Sequence, residues 1–163
     1  MAGLNHDFLL LSCEEHPIEQ WQRCYNNPAA IKIHNDVLEY MSDTLKWIPT
    51  YNPATKQPHN GLCWSGPTII RESVAELAAN LFRLWVELFS RGPEELLLTG
   101  QFGWQVENDP DKDGFERVVP NTAEYERLVL SRDPLIAKLR TLVSYAVHVH
   151  QGNGTHYVLH LGI

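Results

Sequence analysis

The sequence predicts an α+β fold, in which residues 1–163 form a single globular domain and a small, mostly antiparallel sheet packs against several helices. Three observations support this prediction. The length of 163 residues fits one domain. Several stretches repeat apolar side chains at helical spacing. Residues 102–106 alternate apolar and polar side chains before a polar turn, which is typical of a β-hairpin.

The N-terminal third is predicted to contain one strand and two helices. The apolar run at residues 8–11 is typical of a strand, and Pro17 suits the first position of a short helix because it lacks a backbone N–H. Asn27 and Pro28 repeat this start signal. A stripe of apolar side chains then predicts an amphipathic helix of about five turns. Its positions are Ala30, Ile33, Val37, Tyr40, Met41, Leu45 and Ile48.

Residues 49–66 interrupt this helical pattern. The segment is rich in Pro, Asn and Gly, yet it also carries Tyr51, Leu62 and Trp64, which a disordered linker seldom contains. Long loops within compact domains are often functional. We therefore expect an ordered loop that can take part in binding.

The strongest helical stripe is predicted to begin at Pro67 and to end at Gly92 and Pro93. Ile69, Phe82 and Phe89 widen its apolar face, so the helix is expected to be central and buried on more than one side. The stripe itself consists of Ile70, Val74, Leu77, Ala78, Leu81, Leu84, Trp85 and Leu88.

A β-hairpin is predicted to follow this helix. Its first strand would place Phe102, Trp104 and Val106 on one half-buried face. Residues 108–114 would form a polar turn, and residues 115–119 would form the return strand.

Two more helices and a final strand are expected after the hairpin. Asn121 and Thr122 can cap a short helix that runs to about Leu130, and a further helix begins at Asp133. Residues 156–161 are typical of a strand.

Charge is concentrated in one part of the chain. The net charge is −7, and residues 87–127 hold ten acidic and four basic residues, a net charge of −6. A protein that binds nucleic acid needs a basic face, and no Lys/Arg cluster is present, so nucleic acid is not the expected partner. An acidic segment can attract a basic protein partner, although it can also serve only to keep the surface solvated.

The cysteines and the N-terminus favour the cytoplasm. Cys13, Cys24 and Cys63 are an odd number without C-x-x-C spacing, which is typical of a reducing compartment. The first residues lack a basic region and a long apolar run, so no secretory signal is predicted, and no stretch is apolar enough to cross a membrane.

Metal and cofactor sites are not expected. Residues 109–114 resemble the start of a calcium loop, but the twelfth position is Pro120 and carries no ligand. Four histidines crowd the C-terminus without a nearby Cys or carboxylate, so helix-end and strand-surface positions are expected for them. They are His148, His150, His156 and His160.

One constellation leaves an enzyme as the alternative. Cys63 precedes the Pro67 helix and lies four residues from His59, so a small cytosolic enzyme could use a pocket around His59, Cys63 and Trp64. Nucleophile elbows, phosphate loops and zinc-protease motifs are missing from the sequence.

Part of the chain resembles immunity proteins of bacterial polymorphic toxin systems. The residues that carry the resemblance lie at 61–70, 85–93 and 94–100. It implies a small acidic cytosolic protein without catalytic activity that binds a cognate toxin domain and occludes its active site. A phage or accessory protein with another cellular partner is a further alternative.

Binding residues are predicted from the charge pattern and the loop. The acidic hairpin and the aromatic residues of segment 49–66 are the candidate contacts with the toxin. They are Glu107, Asp109, Asp111, Asp113, Glu116, Tyr51 and Trp64.

Overall fold

A computed structural model of the protein describes residues 4–108 and 116–163. A six-stranded antiparallel sheet contains β1 (Asn5–Ser12), β2 (Ile31–His34), β3 (Pro49–Asn52), β4 (Gln57–Asn60), β5 (Pro67–Ile70) and β10 (His156–Leu161), in the order β2-β1-β10-β5-β3-β4. Two further pairs join β6 (Glu95–Gly103) to β9 (Glu124–Ser131) and β7 (Val106–Asn108) to β8 (Glu116–Val118). The helices are α1 (Asn35–Tyr40), α2 (Ser42–Leu45), α3 (Glu72–Ser90) and α4 (Arg132–Gln151), and a 3₁₀ helix covers Ile18–Cys24. The fold is therefore α+β, as predicted.

The middle strands of the large sheet are buried on both faces. β5 is buried along its whole length, and β1 and β10 contain short apolar runs at residues 8–11 and 157–159, the pattern of a strand covered on either side. Phe8, Ile70 and Val158 face the helices, whereas Leu9 and Ile69 face the other side.

Helices cover one face of this sheet. α3 and α4 pack along each other, and α1 and α2 complete the layer with Leu38 and Leu45. The opposite face is covered by the 3₁₀ helix, where Cys24 is buried and Trp21 packs beside it. The Tyr157 hydroxyl donates a hydrogen bond of 2.8 Å to the His16 carbonyl and ties this segment to the sheet.

The predicted five-turn helix over residues 30–48 is wrong. The β-branched residues of β2 pair with β1 instead, and two short helices follow. His34 Nδ1 accepts a hydrogen bond of 3.2 Å from the Asp36 amide and so caps α1. Val37, Met41 and Leu45 still face the core. Apolar residues therefore recur every three or four positions, as they would in one continuous helix.

Pro67 begins a strand and not a helix. Residues 67–70 pair with β10, and Thr68, Ile69 and Ile70 are β-branched side chains that suit a buried sheet. The helix begins at Glu72 and is not buried on several sides, because Leu84 and Leu88 on its outer face are 61% and 56% exposed.

The predicted helix over residues 121–130 is a strand. Glu124–Ser131 pairs with β6 along its length. Asn121 has a φ of 61° and belongs to a turn, and the Thr122 hydroxyl accepts a hydrogen bond from the Gln105 amide instead of capping a helix. The helical expectation failed because the partner strand, which supplies the backbone hydrogen bonds, is remote in sequence.

Other predicted elements are confirmed. The first strand, the helix that contains Asp133 and Pro134, the final strand and the return strand of the hairpin are present. Residues 49–66 are ordered, and their first part is the β3–β4 hairpin. Among the described residues, no helix is both long enough and apolar enough to cross a membrane.

Candidate functional site

The most exposed part of the described chain is a long two-stranded ribbon. We use "the ribbon" for residues 95–108 and 116–131. In it β6 pairs with β9, from Glu95 opposite Ser131 to Gly103 opposite Glu124, and the β7–β8 pair continues beyond them. The register shifts by one residue between Thr99 and Phe102, at a β-bulge. Gly100 lies in this bulge, where an added Cβ would be 3.1 Å from Cβ of Glu126, so the close approach of the two strands favours glycine.

The ribbon has an inner and an outer face. Leu96 and Leu98 point inwards, are buried, and lie opposite Leu130 and Leu128. Leu97 lies between them on the outer face, opposite Val129, and both of these side chains are exposed. Alternation along the strand thus buries one apolar row against the helices and leaves another in solvent.

Aromatic side chains continue the outer face towards the hairpin end. The bulge sets Phe102 opposite Tyr125, with ring centroids 4.9 Å apart, and Trp104 meets Phe102 edge-on at 5.3 Å. The predicted half-buried face of Phe102, Trp104 and Val106 is therefore wrong, because all three are exposed. The Phe102 ring packs on Trp104 and Tyr125 at the surface.

Hydrogen bonds fix the joint between the two strand pairs. The Gln105 amide donates to the Thr122 hydroxyl at 2.9 Å, and that hydroxyl donates to the Val119 carbonyl at 2.8 Å. The Val119 amide in turn donates to the Gln105 carbonyl at 2.9 Å. These contacts hold Trp104 next to the end of β9.

Two of the five predicted acidic contacts are described. Glu107 and Glu116 are exposed on the short hairpin, and Glu107 forms an ion pair of 2.6 Å with Arg117 across the strands. Asp109, Asp111 and Asp113 lie outside the described residues, as does the whole of the calcium-like turn at residues 109–114.

Tyr51 and Trp64 belong to the large sheet and the loop beside it, not to the ribbon. Tyr51 on β3 lies under the Arg71 guanidinium, 4.4 Å from the ring centroid, and is half-buried. Trp64 is also half-buried and meets the His6 ring edge-on at 5.0 Å. The described members of the predicted interface therefore fall into two groups on different sheets.

The residues of the enzyme alternative are partly assembled. His59 and Trp64 line one open cavity of about 470 Å³, together with Lys46. The backbone amide of Cys63 donates a hydrogen bond of 2.7 Å to the Thr68 hydroxyl. The Cys63 sulfur accepts a hydrogen bond of 3.5 Å from the side-chain amide of Asn52. In the part of the chain that the structure describes, no hydrogen bond joins the Cys63 sulfur to an imidazole.

A buried histidine pair was missed at the sequence level. His6 Nδ1 lies 2.7 Å from His160 Nε2, and both residues are inaccessible to solvent. His6 Nε2 lies 3.0 Å from Asn35 Oδ1, and His160 Nδ1 lies 3.3 Å from the Thr68 hydroxyl. The expected strand-surface position of His160 is wrong, because the rings of His6 and Phe8 pack against it and leave it fully buried.

Burial keeps both rings neutral. It lowers the pKa of His6 from its ordinary value, although the hydrogen bond to Asn35 and the charge of Asp7 act in the opposite direction. Burial lowers the pKa of His160 well below its ordinary value, and a proton gained by His6 would lower it further by like-charge repulsion.

The remaining C-terminal histidines lie at the end of α4 and the start of β10. His148 and His150 are in the last turn of the helix, and the His148 ring meets His156 edge-on at 4.5 Å. Within residues 4–108 and 116–163, no group of three or more His, Cys, Asp or Glu side chains is placed to hold a metal ion.

Comparison with known proteins finds no matching family, no matching curated protein and no matching solved structure for this chain.

Proposed function

We propose that this protein is an immunity protein that binds a cognate bacterial toxin through the ribbon and blocks the toxin's active site. The observation that carries the proposal is the ribbon itself, a long β-structure that leaves apolar and acidic side chains in solvent. Every described residue of β7 and β8 is exposed, so this end stands clear for a partner.

The charge of the segment indicates the partner's chemistry. Residues 87–127 carry −6 of the total charge of −7. A field of this sign attracts a basic surface and accelerates the encounter with it. Toxins that act on nucleic acids or nucleotides hold phosphate groups with basic residues, so covering such a surface would both bind the toxin and block its substrate.

The cytoplasm is the proposed place of action. Cys13, Cys24 and Cys63 are free thiols, as expected for a reducing compartment. The histidine pair is assigned no part in this function, because both rings are sealed from solvent.

Growth rescue tests the proposal. The probe is the protein encoded directly upstream of this gene, expressed in a bacterial host with and without the chain. We expect the upstream protein to stop growth and co-expression of this chain to restore it, with the two purified proteins forming a stable complex. An upstream protein that is harmless, or whose toxicity persists when both are expressed, would overturn the proposal.

A further inference from the structure

The outer face of the ribbon carries an apolar surface that does not pack on the core. We call Leu97, Phe102, Trp104, Tyr125 and Val129 the outer stripe. Their side chains are between 46% and 64% exposed. Cross-strand register sets Leu97 beside Val129 and Phe102 beside Tyr125, so the stripe is continuous except for Thr99 and Arg127 between the two pairs.

The side chains of the outer stripe contact one another, but these contacts do not remove them from solvent. The Phe102 ring contacts those of Tyr125 and Trp104, but each of the three keeps close to half of its surface or more in solvent. Soluble proteins rarely expose contiguous apolar surface of this kind except where another molecule covers it. Aromatic and arginine side chains are also the residues that contribute most to protein–protein binding.

Two kinds of protein could cover the outer stripe, a second copy of this chain or a different protein, and charge favours the different protein. A second copy would bring two ribbons against one another, each with five Glu and two Arg in its described residues, a net charge of −3, and like charges disfavour that contact. Glu95 lies at one end of the stripe, and Glu107 and Glu116 lie at the hairpin end. A partner with a basic rim would find opposite charges at both ends.

We propose that the outer stripe is the docking core for a protein partner that has an apolar centre and a basic rim. The inference rests on the proposed function and adds to it the surface that holds the toxin once the two have met. The acidic residues then raise the rate of association with the partner, whereas the outer stripe lowers the rate of dissociation.

The test uses a double variant, Phe102→Ser with Tyr125→Ser, in the full chain. Binding to the upstream-encoded protein is measured by surface plasmon resonance. We expect the Kd to rise by about 100-fold or more, mainly through faster dissociation. The matched control is Leu84→Ser with Leu88→Ser, which removes an equally exposed apolar pair from the outer face of α3 and should leave the Kd within about twofold of wild type.

The outcomes separate this inference from the proposed function. If the wild-type chain neither binds nor rescues growth, the proposed function fails and the inference fails with it. If the wild type binds and rescues but the ribbon variant binds equally well, only the inference is overturned. Dimers of the wild type in sedimentation velocity that the ribbon variant abolishes would identify a second copy as the occupant and would also overturn it.

Circular dichroism and the unfolding midpoint should match wild type in both variants, since all four side chains are exposed.

Discussion

His6 and His160 are linked in a hydrogen-bond chain that assigns every proton. Asn35 Oδ1 can only accept, so His6 carries its proton on Nε2 and accepts at Nδ1. His160 must then donate from Nε2 and accept at Nδ1, which leaves the Thr68 hydroxyl to donate. The Cys63 amide completes the chain by donating to that hydroxyl. Both rings are satisfied only while both are neutral.

Acid should therefore destabilise the fold. Because the folded pKa of each ring is lowered, the unfolded chain binds protons first as the pH falls below about 6.5. Stability is complete above that pH and is lost as the pH falls towards the lowered folded values. Denaturant unfolding from pH 8 to pH 5 measures this loss.

Imidazole NMR gives the direct control for the pH effect. His6 and His160 should stay mainly neutral in the folded protein, with the proton on Nε2, at pH 6.5, the ordinary pKa of a histidine side chain. Ordinary titration of both buried rings near pH 6.5 would contradict the assigned proton chain.

Gly162 allows the Trp64 loop to close over the histidine pair. Its amide donates to the Gly66 carbonyl at 2.9 Å, and an added Cβ would lie 2.6 Å from the Cys63 carbonyl oxygen and still closer to that of Trp64. Gly162→Ala should lower the free energy of unfolding by about 1–3 kcal/mol, because the loop must move. Gly103→Ala is the matched control, since nothing lies within 4 Å of its added Cβ. Equal stability of the two variants in urea would show that the loop adapts without cost.

At the scale of elements, sequence periodicity identified apolar positions better than it identified conformation. Ile33, Val37 and Leu45 were correctly expected to face a core, but the strand and short helices that carry them were not foreseen. Residues 67–70 and 124–130 were likewise assigned to helices. In each case the backbone hydrogen bonds that make the segment a strand come from another strand distant in sequence. The spacing of apolar residues within the segment does not indicate that partner.

The two faces of the ribbon should respond differently to truncation. Leu98 is buried against the helices, so Leu98→Ala should cost about 2–4 kcal/mol of unfolding free energy. Leu97→Ala, one position away on the outer face, should cost about 0.5 kcal/mol or less. Urea unfolding of both variants checks the difference. A similar large loss in each would mean that Leu97 is also covered within the molecule.

At the scale of the whole molecule, charge was the most informative sequence signal for the candidate site. The concentration of acidic residues in 87–127 can be counted from the sequence, and that segment overlaps most of the ribbon. Phe102 and Trp104 of the outer stripe were assigned to a half-buried face, and Tyr125 and Val129 to a helix, because an exposed apolar residue has the same sequence pattern as a buried one. His6 and His160 are 154 positions apart, and only strand pairing brings them together.

The central claim, that the acidic ribbon recognises a basic protein, is tested most directly by association kinetics at two ionic strengths. The variant is Glu116→Lys with Glu124→Lys, two exposed ribbon residues, and the control is Glu14→Lys with Glu15→Lys, which changes the net charge equally at exposed positions outside the ribbon. With the upstream-encoded protein as partner, the ribbon variant should associate about tenfold more slowly than the control at low salt, with a much smaller difference at high salt. Equal association rates for the two variants at low salt would contradict the account.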